Sequence, residues 1–306
     1  MAASAADMQV SVIILTRNRK ADVLENLAAL SNQTRSHDIV LVDNASDDET
    51  AEAVRAKYPN ARVVALKENT GVAMGRNAGI EVATGDLLVF IDDDAVLKNK
   101  RALERIVTYF TQYPRLGVLG FQERNYYNPE EIIQWHFMGK SISKDAPREF
   151  EAHYFPGVGH AIRARVLKET GGAYPDYYFY STEELDLSYR VLDAGYEIRY
   201  TPHVQVFHKR SPTTRANFRF YFDLRNHIWM SWRLFPQPYR TIHQLGWFAR
   251  VTWQAALAGY LHAVPRAIRD AWKLRDAVLA ERAPLKPETI KKIKKLRNSW
   301  QSWIYI

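Results

Sequence analysis

Four short runs of apolar, largely β-branched residues recur in the first third of this sequence, each separated from the next by a segment of helical character. The runs are VSVIILT (10–16), DIVLVDN (38–44), ARVVALK (61–67) and GDLLVFIDDD (85–94). Between them, ADVLENLAALSNQ places Val23, Leu24, Leu27 and Leu30 at helical intervals. SDDETAEAVRAKY opens with Ser46, Asp47 and Asp48 as cap candidates, and GVAMGRNAGIEVA (71–83) reads as a third helix. Strands that are apolar throughout are buried on both faces and pair in parallel when helices connect them. The expected fold class is therefore α/β, with a mainly parallel central sheet.

In such sheets the ligand sits at the carboxyl ends of the strands. Thr16, Arg17 and Asn18 follow the first run, and Asp43, Asn44 and Ser46 the second. Glu68, Asn69 and Gly71 follow the third, and Asp92, Asp93 and Asp94 end the fourth. Three adjacent carboxylates repel one another, and a core cannot hold them unpaired. A divalent cation such as Mn²⁺ or Mg²⁺, which takes hard oxygen ligands, resolves the conflict. A solvated turn is the other reading of the triplet, and its place on the rim favours the metal.

A cation with so few protein ligands needs phosphates. The stretch NTGVAMGRN offers a place for them, because Gly71 and Gly75 permit close backbone approach and Arg76 adds charge. A plain amphipathic helix with small residues for packing is the alternative. No Gly-Lys-Ser/Thr follows, so this is not a Walker loop. Asp43 is placed to accept an N–H from a base, or to cap the next helix.

Beyond residue 98 the pattern loosens. ALERIVTYFTQY reads as a helix, LGVLGFQ as a strand, and 122–152 shows no clear period. STEELDLSYRVLDAG reads as a helix stopped by Gly195, and EIRYTPHVQVFH as two short strands around Pro202. From about 213 onward the chain is helical in pattern and rich in Trp, Tyr and Arg. There is no cysteine, which excludes disulfides and thiolate metal sites. The start, MAASAADMQV, lacks the basic and apolar segments of a secretory signal.

The ordered segments SVIILTRNR, IVLVDNASDD, NTGVAMGRNAG and GDLLVFIDDDAVL resemble the nucleotide-binding half of family 2 glycosyltransferases of the GT-A fold. GVGHAIRARVLKETGGAYPDYYFYSTEELDLSYRVLDAGYEIRYTPHVQVFH resembles their acceptor half, and the flavour is that of the bacterial rhamnosyltransferase-like group. The resemblance covers about residues 9–212. It implies a catalytic domain over 1–212, with a nucleotide half at 9–98, an acceptor half at 99–212, and a helical extension at 213–306. It implies an inverting, metal-dependent transfer from a UDP- or dTDP-linked sugar to a saccharide or lipid-linked acceptor in surface polysaccharide synthesis. Asp92 and Asp94 would bracket the Asp-x-Asp metal motif with Asp93 between them, and His208 would complete the metal ligands. Thr16, Asn18, Asp43, Asn69, Gly71 and Arg76 would surround the nucleotide sugar. The family's base motif stands here as Glu183-Glu184, with Glu184 as the base. This departs from the more usual Asp at the second place. Tyr174-Pro175-Asp176 also departs from the usual Phe-Asp turn.

Other classes fit less well. A phosphotransferase with a nucleophilic aspartate carries the acid pair on its first strand. A sugar-nucleotide-forming nucleotidyltransferase wants a Gly-rich basic loop after strand one, and LTRNRKAD has no glycine. A non-catalytic sugar-nucleotide binding protein would have no need of the acids.

The net charge of +8 is concentrated late, in KPETIKKIKKLRNSW. No charge-free apolar run reaches the roughly 18 residues of a spanning helix. On a helical wheel, Ile290, Ile293, Leu296, Trp300, Trp303 and Ile304 share a side, away from most of the lysines. That pattern predicts docking on an anionic membrane, at the inner face of the cell membrane; ordinary packing or an oligomer contact is the alternative reading, and nucleic acid comes third. The preceding VPRAIRDAWKLRDAVLAE has a narrower stripe at Ile268, Trp272 and Leu279, suited to packing on the catalytic domain.

Overall fold

The computed structural model describes residues 8–135, 137–209 and 216–298, apart from the side chains of 216 and 217. The chain begins β1 (Val10–Thr16), α1 (Lys20–Leu30), β2 (Asp38–Asp43), α2 (Thr50–Lys57), β3 (Arg62–Ala65), α3 (Gly71–Val82), β4 (Leu87–Ile91) and β5 (Ala95–Val96). It continues α4 (Ala102–Gln112), β6 (Leu116–Asn125), α5 (Ile142–Asp145), β7 (Phe150–Glu151), β8 (Gly159–Arg163), α6 (Ala164–Glu169), α7 (Glu183–Asp193) and β9 (Glu197–His208). There follow α8 (Ala216–Leu234), α9 (Tyr239–Leu257), α10 (Ala263–Lys273), α11 (Arg275–Ala280) and α12 (Pro287–Arg297).

The strands form one mixed sheet in the order β3-β2-β1-β4-β8-β6-β9-β5, with β7 also paired to β9. The first four strands in this order pair in parallel, as their sequence predicts. β8 runs antiparallel between β4 and β6, and β6 pairs in parallel with β9. The register sets Thr16 opposite Asp43 and Ile13 opposite Phe90, so β1, β2 and β4 end on one rim.

Successive strand residues point to opposite faces. Ile13 and Phe90 enter a core with residues of α3 and α7, while Val12, Ile14, Val89 and Ile91 enter one with α1, α2 and α4. α4 is amphipathic, and Leu103, Ile106, Val107 and Phe110 recur on its buried side.

In three places the structure differs from the sequence pattern. EIRYTPHVQVFH is one strand, not two. Phe121 faces Thr201 and the next residue, Gln122, faces Gln205, so Pro202 sits in a bulge where its missing N–H is not needed. The segment without a period is ordered by aromatic packing: Trp135, Phe137, Phe150 and Tyr200 meet mostly edge to face. Such contacts impose no repeat on the sequence. Finally, the late helices share the main core. Trp229 and Met230 of α8, Phe235 just after it, and Ile290 and Ile293 of α12 join the cluster that holds Ile13 and Val40. The terminal apolar side is thus buried over Ile290 and Ile293, while Trp300, Trp303 and Ile304 lie outside the described residues. α10 buries Ala263, Val264, Ala267 and Ala271 and leaves Trp272 of the expected stripe exposed.

One buried ion cluster ties α7 to α8. Asp186, with no exposed surface, accepts from Arg190 Nε at 2.7 Å and from Arg233 Nη1 at 2.6 and 2.7 Å. Burial alone would raise this carboxyl, but Arg233 and Arg190 hold it below its ordinary value. Replacing one member of a buried pair strands the other charge. Arg233→Met should lower stability by roughly 3 kcal/mol, read as a lower urea midpoint. An unchanged midpoint would contradict the role given to this pair.

Candidate active site

The acid triplet begins where β4 stops. The Asp92 amide donates to the Val158 carbonyl at 3.0 Å, and the Ala95 amide donates back to the Asp92 carbonyl at 3.0 Å, which closes a tight turn. That turn feeds β5, whose Ala95 pairs with His208 of β9. Strand register therefore carries His208 to the acids, and its Nε2 lies 3.1 Å from Asp94 Oδ1. Its Nδ1 lies 2.6 Å from Glu123 Oε1. The other Asp94 oxygen is held by Arg19, which also reaches Asp93 at 3.5 Å. Asp93 accepts from Thr16 Oγ1 at 2.9 Å.

Burial alone would raise Asp94, but His208 and Arg19 hold it down at about 2. Burial pushes Asp93 up to about 7 despite Arg19, with Asp94 and Asp92 adding to the rise. Burial would lower His208, but its hydrogen bonds to Asp94 and Glu123 raise it to about 10. The cluster is thus a set of acids compensated only by borrowed positive charge.

The residues present fit a divalent cation. Asp92, Asp94 and His208 each offer one ligand atom, and these atoms lie within 4.8 Å of one another. Two carboxylate oxygens and an imidazole nitrogen suit Mn²⁺ or Mg²⁺. Glu123 on Nδ1 leaves Nε2 facing the acids, the arrangement by which a carboxylate orients a ligating histidine. Glu123→Ala should weaken Mn²⁺ binding roughly 10–100-fold, measured by calorimetry. Unaltered affinity would remove Glu123 from the site.

A second acidic pair opens α7. Ser181 and Thr182 take left-handed backbone angles, φ 69° and 80°, directly before Glu183. Two such non-glycine residues in a row must be held by their surroundings. Asn226 of α8 does so, donating from Nδ2 to the carbonyls of Tyr180 and Ser181 at 2.7 Å each. Ser181 Oγ donates to Asp223 at 2.6 Å. Glu183 is buried, its Oε2 has no hydrogen-bond partner among the described residues, and burial beside Glu184 raises it to about 8. Glu184 is the more open of the two and accepts from Arg76 Nη1 at 2.6 Å.

Arg76 joins the two acidic groups. Its Nη2 lies 3.5 Å from Asp92 and donates to the Gly157 carbonyl at 3.2 Å, and its guanidinium sits over the Tyr174 ring. The sequence expectation aimed Arg76 at a pyrophosphate. Here its donors already serve Glu184, Asp92 and Gly157, and only about 5% of the residue is exposed.

The remaining rim residues are brought together, but largely on one another. Asp43 Oδ1 accepts from the Ser46 amide at 2.8 Å, and Asn18 receives the Asp47 amide at 2.9 Å. Asn69 accepts from the Gly71 amide and from Asn44 Nδ2, both at 3.1 Å. Gly71 lies against a neighbouring loop. At φ +81° a side chain is strained, and a Cβ would fall 2.3 Å from the Phe179 carbonyl oxygen. That carbonyl accepts the Val72 amide at 2.7 Å. Gly75 packs α3 on Leu15 of β1, as the plain packing reading has it.

Sequence reasoning missed Glu123, Arg19 and Asn226. Arg19 sits beside the singled-out Thr16 and Asn18, and Glu123 lies at the polar end of a recognised strand, but neither has a motif of its own.

A family description, "Glycosyl transferase family 2", matches residues 11–171, just over half of the chain. An uncharacterised protein of Haemophilus influenzae is 28% identical over 170 residues, 53% of this chain and 91% of its own length. The O-antigen chain rhamnosyltransferase WbaN of Salmonella anatum is 27% identical over 193 residues, covering 60% of each chain. The chain thus spans less than two thirds of that rhamnosyltransferase. Among solved structures, a mannosyltransferase from Pyrobaculum calidifontis in complex with GDP-Man and Mn²⁺ superposes with a TM-score of 0.58 at 19% identity, over 96% of this chain and 88% of that one. S. aureus TarS 1-349 in complex with UDP gives 0.58 at 20% identity, over 97% and 92%. At these identities the superpositions establish the fold, which is GT-A.

Proposed function

The chain belongs to glycosyl transferase family 2, and from that premise we propose that it moves a hexosyl or rhamnosyl group from a UDP- or dTDP-linked donor to a saccharide or lipid-linked acceptor, with inversion, in surface polysaccharide synthesis. Residues 1–212 are the catalytic domain in this reading, and 213–306 the extension. The enzyme works on the inner face of the cell membrane, where a lipid-linked acceptor would wait.

One observation carries the proposal. Arg76 lies 3.5 Å from Asp92 and 2.6 Å from Glu184, so one guanidinium bridges the candidate metal ligands and the candidate base. A donor diphosphate and an acceptor hydroxyl need that adjacency.

Glu184 takes the proton of the acceptor hydroxyl. The oxygen attacks the anomeric carbon from the side opposite the diphosphate, the bond from that carbon to the phosphate oxygen breaks, and the nucleoside diphosphate leaves. Arg76 holds Glu184 in place. Burial and the neighbouring Glu184 raise Glu183, which favours its protonated form. Asp92, Asp94 and His208 would hold Mn²⁺ or Mg²⁺, which supplies countercharge for the departing diphosphate. Thr16 and Asp93 line the nucleotide side of the rim, with Asn18, Asp43 and Asn69 fixing the loops around it.

Two experiments test this reading. A thermal-shift panel of UDP-, dTDP- and GDP-linked sugars with Mn²⁺ should single out a UDP or dTDP donor. Proton NMR of the product should give the anomeric configuration opposite to the donor's. Retention of configuration would refute the single displacement.

A further inference from the structure

The apolar side expected to meet a membrane is, in α12, occupied by protein: Ile290 and Ile293 are in the main core, and Lys292 pairs with Glu151 at 2.7 Å. α9 has the opposite arrangement. It buries His243, Val251 and Ala255, and its Trp247 stacks on His227 of α8 with ring centroids 3.6 Å apart. Its other side carries Leu245, Trp253 and Leu257, which are 65%, 67% and 72% exposed. Ile242 and Ala249, both exposed, lie among them, and Leu261, 51% exposed, extends the patch past the helix end. At 100° per residue, positions 242, 245, 249, 253 and 257 fill an arc of about 120°. All five are apolar. A continuous apolar side of this kind, left uncovered, marks an interaction site.

Charge selects the occupant. From Leu224 to Arg269 the chain has no aspartate or glutamate. Arg250 stands at the border of the apolar arc, half-buried, with its guanidinium over the Trp247 ring. Arg266 and Arg269 of α10 are exposed. Asp270 lies beside Arg266, Arg269 and Lys273 and offsets one of those three charges. A second copy of the chain would bring the same cations together, and like charges at an interface disfavour it. An anionic bilayer satisfies both features: its acyl boundary accepts leucine and tryptophan, and its headgroups pair with arginine. No helix of the described residues is long and apolar enough to cross a membrane, so the contact lies in the interface plane.

We propose that the outward side of α9, centred on Leu245, Trp253 and Leu257, is the surface by which the enzyme lies on an anionic membrane. The inference deepens the membrane-side reading above and rests on it. It also has a mechanical consequence. α9 packs on α8, and α8 supplies Asn226 to the loop before Glu183, so the docking surface and the acidic pair share one rigid support.

The test is flotation of the full-length chain with vesicles of phosphatidylglycerol and phosphatidylethanolamine. Wild type should float with these vesicles, weakly with phosphatidylcholine alone, and less at about 1 M salt, where the Debye length falls to about 3 Å. Leu245→Ser/Trp253→Ser/Leu257→Ser should partition about 100-fold less. The same variant should release nucleoside diphosphate in vesicle-free buffer at the wild-type rate, which separates failure of docking from failure of the transferase reading. Trp300→Ser/Trp303→Ser should still float. Equal flotation of the triple variant and wild type would overturn the assignment to α9, as would loss of flotation in the Trp300/Trp303 variant alone. No flotation of wild type would overturn the membrane reading itself.

Discussion

Glu184→Gln should bind nucleotide sugar within about threefold of wild type while transfer falls by roughly 10³-fold, because proton removal by a placed base acts only on the chemical step. The amide keeps the size of the carboxylate and one acceptor oxygen for Arg76 Nη1, so the fold around the site is preserved. It cannot take a proton. Glu183→Gln should behave differently. Glu183 is buried and raised by burial beside Glu184, so the amide imitates the protonated form that its surroundings favour. Transfer should stay within about tenfold of wild type. Steady-state kinetics with calorimetry of the donor decides the matter. A dead Glu183 variant beside an active Glu184 variant would shift the base by one position.

The second large effect is expected at the triplet. Asp94→Ala removes one of three candidate ligands and leaves Arg19 and His208 without the carboxylate whose two oxygens they hold. Mn²⁺-dependent affinity for the donor should fall by about 100-fold or more. Asp93→Asn should cost far less in metal binding, since Asp93 contacts Thr16 and Arg19 rather than His208. The melting curve of each variant identifies misfolding. An Asp94→Ala protein with wild-type affinity for nucleotide sugar in Mn²⁺ would exclude this acid from the metal site.

How much of this was legible in the sequence follows from the range of the forces involved. The parallel strands were readable because β1, β2 and β4 are buried on both faces, and a run such as VSVIILT has no other stable use. The rim followed from that, since Thr16, Asp43 and Asp92 each stand at the end of a strand. Glu123 was not readable: its contact with His208 spans 85 positions and depends on a bulged register between β6 and β9. Gly71 signalled close approach, but a glycine does not say what approaches, and here it is Phe179. The late helices misled for a related reason. An amphipathic stripe looks the same whether lipid or protein covers it, and Ile290 and Ile293 are covered by protein while Leu245 and Trp253 are not.

The most direct measurement of the whole account is nucleoside diphosphate release from UDP- and dTDP-linked sugars by the wild-type chain, followed with Mn²⁺, after chelation with EDTA, and after Mn²⁺ is restored. Release that stops on chelation and resumes on restoration, for at least one donor, is the predicted result. Release that continues unchanged in EDTA, or no release from any donor under any condition, would contradict it.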